Sequence, residues 1–180
     1  SLLHPFYDTA IFQLLKPVVG DLVYQTHSCN RGNPWCLECP KCLYVFTGLT
    51  ANLDRHDVIK QFGGVDLFQM ENKTAVWKEL MAIARDGEIP RRPLECVGEQ
   101  KEVQLYFWDI KQRYPEIMSA PPFRLFQSEI LDPLGSESQQ KEYFKDLESK
   151  YGKTYRTDHV IPYSPDQLNL GCRRAMVIGP

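Results

Sequence analysis

Four of the six cysteines in this 180-residue chain lie between positions 29 and 42. Cys29, Cys36, Cys39 and Cys42 form the pattern C-x6-C-x2-C-x2-C. Zinc binds four thiolates tetrahedrally at about 2.3 Å, and a C-x2-C spacing lets one tight turn present two sulfurs to the same ion. The pattern therefore predicts a tetrathiolate zinc site. Because four thiolates close the coordination sphere, we expect a structural ion that does not activate water.

Two alternatives to zinc remain open at this point. Overlapping C-x2-C units also occur in ferredoxins, although the x3-C-P fourth ligand typical of those proteins is missing here. Buried free thiols or a disulfide pair are the alternative without metal. His27 adjoins the cysteines, but four sulfurs already fill the sphere, so we expect it in a supporting or surface position. His56, in the string DRHD, is expected at a solvated helix start.

Composition and charge favour a single globular domain. Hydrophobic residues make up 43% and charged residues 24% of the chain, an ordinary globular mixture. The formal net charge of -2 disfavours nucleic acid or an anionic membrane surface as partner. Apolar runs fall far short of the roughly twenty residues that span a bilayer. With no secretory signal visible, we expect a cytoplasmic protein whose thiols stay reduced.

The hydrophobic periodicity predicts a mainly helical chain with little strand. Asp8 or Thr9 is expected to cap the first helix, Asp54 the third, and Ser136 with Gln139 forms a capping-box pattern before the last. The expected helices cover about residues 11–18, 40–52, 55–62, 67–86, 101–114 and 137–151.

The remaining segments are expected to lack helix. Residues 20–28 are predicted to be extended, 119–135 irregular because of three prolines, and AMVI near the end a strand. We therefore expect a zinc-held helical domain over 1–118, with 119–180 forming an irregular segment and a C-terminal helix packed on it. Trp108 is predicted to pack under the irregular segment; stacking on a base or sugar is the alternative.

Several strings resemble known families. The LHP segment, THSC and the cysteine run before an apolar helix resemble the C-terminal zinc-binding part of PP-loop ATP pyrophosphatases, such as 7-cyano-7-deazaguanine synthases. SCNRGN, CPKC and PLECVG are similar to the C-terminal half of bacterial UDP-N-acetyl-alpha-D-muramoyl-L-alanyl-L-glutamate epimerases. This second resemblance covers about residues 1–116.

The resemblance implies an activity and its cofactors. Those epimerases couple cleavage of ATP to AMP and pyrophosphate with inversion of the terminal L-glutamate of a peptidoglycan precursor. A nucleotide-sugar peptide substrate, ATP and Mg²⁺ are therefore expected. The glycine-rich SGGxDS-type phosphate loop of PP-loop enzymes does not occur in the chain. Gly63 and Gly64 are expected to end a helix, so the resemblance implies an upstream ATP-binding half.

Inversion at an α carbon needs groups that remove and return a proton on opposite faces. Cys96 is the candidate base, because it follows the basic pair Arg91 and Arg92, whose charge would lower a thiol pKa. Glu95 is the candidate second base or substrate anchor. The alternative for Cys96 is a small buried apolar residue.

Three basic residues are expected to bind the substrate diphosphate: Arg31, Lys41 and Arg55. Their alternative is ordinary solvated surface. Two other functions stay open for the whole chain. One is a zinc-stabilised interaction module without catalysis, and the other is a 7-deazapurine-type PP-loop ligase acting on a different acid.

Overall fold

The computed structural model describes residues 6–84, 87–88, 92–93 and 97–152. This part of the chain is mainly helical, as predicted. The α-helices are α1 (Asp8–Val19), α2 (Pro40–Asn52), α3 (Arg55–Gln61), α4 (Thr74–Met81), α5 (Gln100–Arg113), α6 (Pro121–Phe126), α7 (Asp132–Leu134) and α8 (Glu137–Tyr151). None of the helices within these ranges is long and apolar enough to cross a bilayer.

Helix α5 lies at the centre of the fold, because it contacts α2, α4, α6 and α8. The predicted apolar stripe of Val103, Phe107 and Ile110 is buried, which confirms that helix. Two neighbouring positions, Glu102 and Gln104, are buried polar side chains. A helix surrounded on several sides buries both its apolar stripe and its flanks.

The core is dominated by aromatic rings. Phe68 packs edge-on against Phe46, Phe107 and Phe123, with ring centroids 4.9 Å, 5.9 Å and 5.2 Å away. Each such pair contributes about 0.5–1.5 kcal/mol beyond the burial of its area. Trp108 stacks on Phe144 of α8 at 4.5 Å, a contact that the sequence did not predict. Its neighbour Phe107 packs against Phe123 and Phe126 of residues 119–135.

Local signals set several helix boundaries as predicted. Pro40 starts α2 at a position where no helical N–H is needed. The Asp54 carboxylate accepts from the His56 and Asp57 amides and caps α3. Ser136 opens α8 with a complete capping box. The helix predicted over 101–114 is confirmed within one residue at each end.

Three predictions near the first half of the chain were wrong. Residues 20–25 form a 3-10 helix and not an extended piece. Asp8 and Thr9 lie inside α1 and do not cap it; Tyr7 holds that position. The helix predicted over 67–86 is broken into two 3-10 turns and α4, which ends where Ala82 adopts φ 57°. Ile83 then folds back and is buried, which fixes this helix end.

The segment 119–135 was expected to be irregular, and this was also wrong. It forms α6, a π-helical turn over Gln127–Leu131 and the single turn α7. Pro121 and Pro122 stand at the start of α6, where a missing N–H costs nothing. Burial of Phe123 and Phe126 against α5 stabilises these short helices. The strand predicted for AMVI lies outside the described residues.

A partly buried carboxyl group lies between α5 and α8. Burial raises the pKa of Asp109 to about 7, repulsion by Glu148 adds to the shift, and Arg113 opposes it. The folded protein therefore holds this proton more tightly than the unfolded chain. Between about pH 4 and pH 7 the unfolded chain releases the proton while the folded protein keeps it.

This proton makes the stability depend on pH in a defined direction. The free energy of unfolding should fall as pH rises through that window and level off above it. Asp109→Asn removes this slope. We therefore expect the free energy of unfolding of the variant, relative to that of the wild type, to increase by at least about 1 kcal/mol from pH 5 to pH 8. Urea unfolding at both pH values measures the difference. The exposed control Asp146→Asn should keep the wild-type slope; parallel slopes for all three proteins would contradict the assignment.

Candidate metal centre

Two of the four cysteines lie at the start of α2. Cys39 is the residue before the first helical position and Cys42 belongs to the first turn, so a spacing of three places both on one side of the helix. Their sulfurs are 3.5 Å apart, and Cys36 Sγ lies 3.7 Å from Cys42 Sγ. A helix start also carries partial positive charge, which favours thiolates.

All four sulfurs lie within 4.8 Å of one another. Four thiolates at about 2.3 Å from one tetrahedral ion would stand about 3.8 Å apart. The observed separations fit a single ion. A [4Fe–4S] cluster binds each thiolate through a different iron, so its sulfurs have to stand farther apart. The site can therefore hold one metal ion, as the cysteine spacing predicts.

The loop between Cys29 and Cys36 approaches the sulfurs closely. The backbone N–H groups of Arg31 and Gly32 point at Cys29 Sγ, at 3.4 Å and 3.3 Å. A Cβ at Gly32 would lie 2.9 Å from the Cys36 backbone nitrogen, so only glycine fits there. Trp35 stacks on Phe62 at 4.3 Å, which joins the loop to the end of α3.

The four thiols differ in their electrostatics. Burial raises the pKa of Cys42 and of Cys39. Burial also acts against ionisation of Cys29, but backbone N–H groups of Arg31 and Cys36 outweigh it and lower its pKa to about 6. A metal ion placed between the sulfurs would displace the protons of all four.

The predicted substrate-binding residues lie in two separate places. Arg31 lies in the loop between Cys29 and Cys36, and Lys41 lies in the first turn of α2, beside the cysteines. Arg55 lies beyond the other end of α2, which at 1.5 Å per residue is about 20 Å long. There it forms an ion pair with Asp66, and its backbone N–H donates to Tyr114 Oη at 3.2 Å. Only Arg31 and Lys41 could act together.

The predicted catalytic residues Glu95 and Cys96 lie outside the described residues. His27, two residues before Cys29, is exposed. His56, in the first turn of α3, is exposed as well, as its sequence position predicts. Gly63 and Gly64 have φ of 71° and 82°. Their N–H groups bond back to the last turn of α3, which confirms them as a helix end.

Sequence reasoning missed a second polar site, here called the acid–tyrosine cluster. Glu102 Oε1 accepts from the backbone and hydroxyl of Thr9, at 2.8 Å and 3.0 Å. Tyr44 Oη donates to Asp8 Oδ2 at 2.8 Å, and Thr9 Oγ1 lies 3.2 Å from Tyr106 Oη. Burial raises the pKa of Glu102, although backbone and side-chain donors oppose the shift. The sequence signal that could have indicated this cluster is the spacing of Glu102 and Tyr106, which lie four positions apart on α5.

Comparison with known proteins identifies the family. The model of the MurL C-terminal domain family matches residues 23–142, two thirds of the chain. The chain belongs to the MurL C-terminal domain family. The match includes the four cysteines of the candidate metal centre as well as Glu95 and Cys96, so these residues are part of the MurL domain. Helix α1 precedes the matched region.

Two curated relatives are similar to parts of this chain. One, from Micromonospora sp., is named UDP-N-acetyl-alpha-D-muramoyl-L-alanyl-L-glutamate epimerase and is 40% identical over 68 residues, 38% of this chain and 14% of the relative. Another of the same name, from Salinispora tropica, is 38% identical over 82 residues, 42% of this chain and 17% of the relative. The chain thus matches less than a fifth of either relative's length. No solved structure matches it significantly.

Removal of one cysteine tests the metal centre. Cys42→Ser replaces the most enclosed ligand by a poorer donor, so we expect loss of the ion and destabilisation by at least about 4 kcal/mol. Elemental analysis of the purified chain should give one zinc per wild-type molecule and much less for the variant. Cys172→Ser, which removes a cysteine that does not belong to the C-x6-C-x2-C-x2-C pattern, is the matched control and should retain the ion. A stable wild-type chain without metal would contradict the assignment.

Proposed function

We propose that this chain is the C-terminal part of an ATP-dependent epimerase, which inverts the terminal L-glutamate of UDP-N-acetylmuramoyl-L-alanyl-L-glutamate during peptidoglycan precursor synthesis. The observation that carries the proposal is the family match over residues 23–142, supported by the two relatives named as epimerases of this substrate. We also propose a cytoplasmic location, where thiols stay free for metal.

The metal in this proposal is structural zinc. The separations of the four sulfurs suit one tetrahedral ion, and closed tetrathiolate sites are typical of structural zinc. The ion would hold the loop from Cys29 to Cys36 on the start of α2. Arg31 and Lys41 would then face the diphosphate of the substrate from beside this centre.

Nucleotide chemistry is assigned to another part of the enzyme. The present sequence contains no glycine-rich phosphate loop, and its Gly63–Gly64 pair ends a helix. We propose a PP-loop half that binds ATP with Mg²⁺, as the resemblance to PP-loop pyrophosphatases implies. That half would join the substrate carboxylate to AMP and release pyrophosphate.

Adenylation makes the reaction at the α carbon feasible. A free carboxylate resists loss of the neighbouring proton, because the carbanion would carry a second negative charge; an acyl adenylate lacks the first. Cys96 would remove this proton on one face, and a second acid, with Glu95 the candidate, would return one on the other. Water then cleaves the acyl adenylate to carboxylate and AMP, which completes the inversion.

Isotope exchange separates these steps. The full-length protein, given ATP and the substrate in D₂O, should release pyrophosphate and place deuterium at the glutamate α carbon. Cys96→Ala should lower the rate of deuterium incorporation by about 10²- to 10⁴-fold, because a positioned base contributes that much. Pyrophosphate release should persist, since adenylation does not need the base. Mass spectrometry of the product and a pyrophosphate assay measure the two rates.

Controls define the outcomes. Cys172→Ala should behave as wild type in both assays. Full exchange in Cys96→Ala would exclude Cys96 as the base but leave the epimerase in place. A wild-type enzyme that never exchanges the α proton is not an epimerase. Pyrophosphate release with a 7-deazapurine carboxylic acid, and not with the glutamate substrate, would favour the ligase alternative.

A further inference from the structure

Two of the four cysteines in the metal centre are not held by a helix. Cys39 and Cys42 are placed by the start of α2, whereas Cys29 and Cys36 lie in the loop that precedes it. The N–H groups that point at Cys29 Sγ come from the second and third residues after it, so they belong to the same loop and move with it. Until an ion binds, contacts with other elements have to fix this loop relative to α2.

The end of α3 holds the chain just before Cys29. Gln61, the last residue of α3, donates from Nε2 to the carbonyl oxygens of Val23 and Thr26, at 3.2 Å and 2.7 Å. Thr26 is also tied to Val23, because its hydroxyl donates to the Val23 carbonyl oxygen at 2.7 Å. Val23 itself is buried. One amide group thus fixes the backbone that ends three residues before a metal ligand.

The next residue, Phe62, holds the other end of the loop. Its ring stacks on Trp35, the residue before Cys36, with the two ring planes 15° apart. The same ring packs edge-on against Phe46 of α2, with ring centroids 5.0 Å apart. Phe46 follows Cys42 by four positions, so both lie on one side of α2. Phe62 is buried and therefore joins the loop to the side of α2 that carries a ligand.

We propose that Gln61 and Phe62 are positioning residues of the metal centre, which hold Cys29 and Cys36 near their binding positions before an ion arrives. A ligand that is already in place loses less conformational freedom on binding, so the affinity for the ion is higher. Loss of a group that bonds a metal ligand directly lowers metal affinity by about 10- to 100-fold. Gln61 acts through the backbone before Cys29, so we expect an effect of about tenfold. This inference rests on the zinc centre of the proposed function and not on the epimerase activity.

Two substitutions of Gln61 test the amide, and a second glutamine provides the control. Gln61→Ala removes the whole side chain beyond Cβ, and Gln61→Leu removes the donor but keeps a side chain of similar size. Neither changes the charge near the thiols. Gln140 Nε2 donates to the carbonyl oxygens of Leu131 and Gly135, each at 3.0 Å. Gln140→Ala therefore deletes a bridge of the same chemistry, but one that holds the segment before α8.

The readout is metal affinity, measured on the full chain in its reduced, metal-free form. Titration with Co²⁺ gives the cobalt–thiolate absorption spectrum, and displacement of cobalt by Zn²⁺ gives the dissociation constant for zinc. In Gln61→Ala and Gln61→Leu we expect this constant to rise about tenfold. The cobalt spectrum should stay that of the wild type, because all four ligands remain. Gln140→Ala should keep the wild-type dissociation constant, although it loses two hydrogen bonds as well.

Two results would overturn the proposal. One is a wild-type zinc affinity in Gln61→Leu, which also decides the matter if Gln61→Ala does not fold. The other is an equal loss of affinity in Gln140→Ala, because the effect would then come from general destabilisation. A wild-type chain that binds neither Co²⁺ nor Zn²⁺ would instead contradict the metal centre itself. The titration needs neither ATP nor substrate, so failure of the epimerase assignment would appear in the exchange assay and leave this result intact.

Discussion

Four thiol sulfurs within 4.8 Å of one another are the constraint on which this domain depends. Without a cation, four ionised thiolates at this distance would repel one another strongly, and burial already works against ionisation of Cys39 and Cys42. One divalent ion removes both costs and makes the closeness favourable. Such an ion would also fix the start of α2, because Cys42 belongs to its first turn and Cys39 immediately precedes it.

Helix α2 connects the metal centre to the rest of the fold. Cys42 and Tyr44 are two residues apart, so at 100° per residue they point to nearly opposite sides of the helix. One side faces the metal centre and the other the acid–tyrosine cluster. Farther along, Gly48 admits the ring of Phe12, because a Cβ there would lie 2.3 Å from it. A rotation of α2 at the metal would therefore disturb its packing on α1.

The parts that sequence could predict are those set by neighbours in the chain. The cysteine spacing, Pro40 at a helix start and the Ser136 capping box each act over a few residues, and the structure has them where expected. The acid–tyrosine cluster could not be predicted, because Thr9 and Glu102 are 93 positions apart. The helices within 119–135 were not predicted either, for a related reason. Prolines indicated breaks, but burial of Phe123 and Phe126 against α5 stabilises short turns that are weak alone.

The two polar centres differ in how much of the fold has to be in place before they can form. The metal centre is local: its ligands span fourteen positions, so the ion can order them before distant contacts form. The acid–tyrosine cluster is assembled from α1, α2 and α5, and it exists only when those helices have packed. The backbone of residues 97–99, which this cluster contacts, would therefore take its final position only after α1, α2 and α5 have packed.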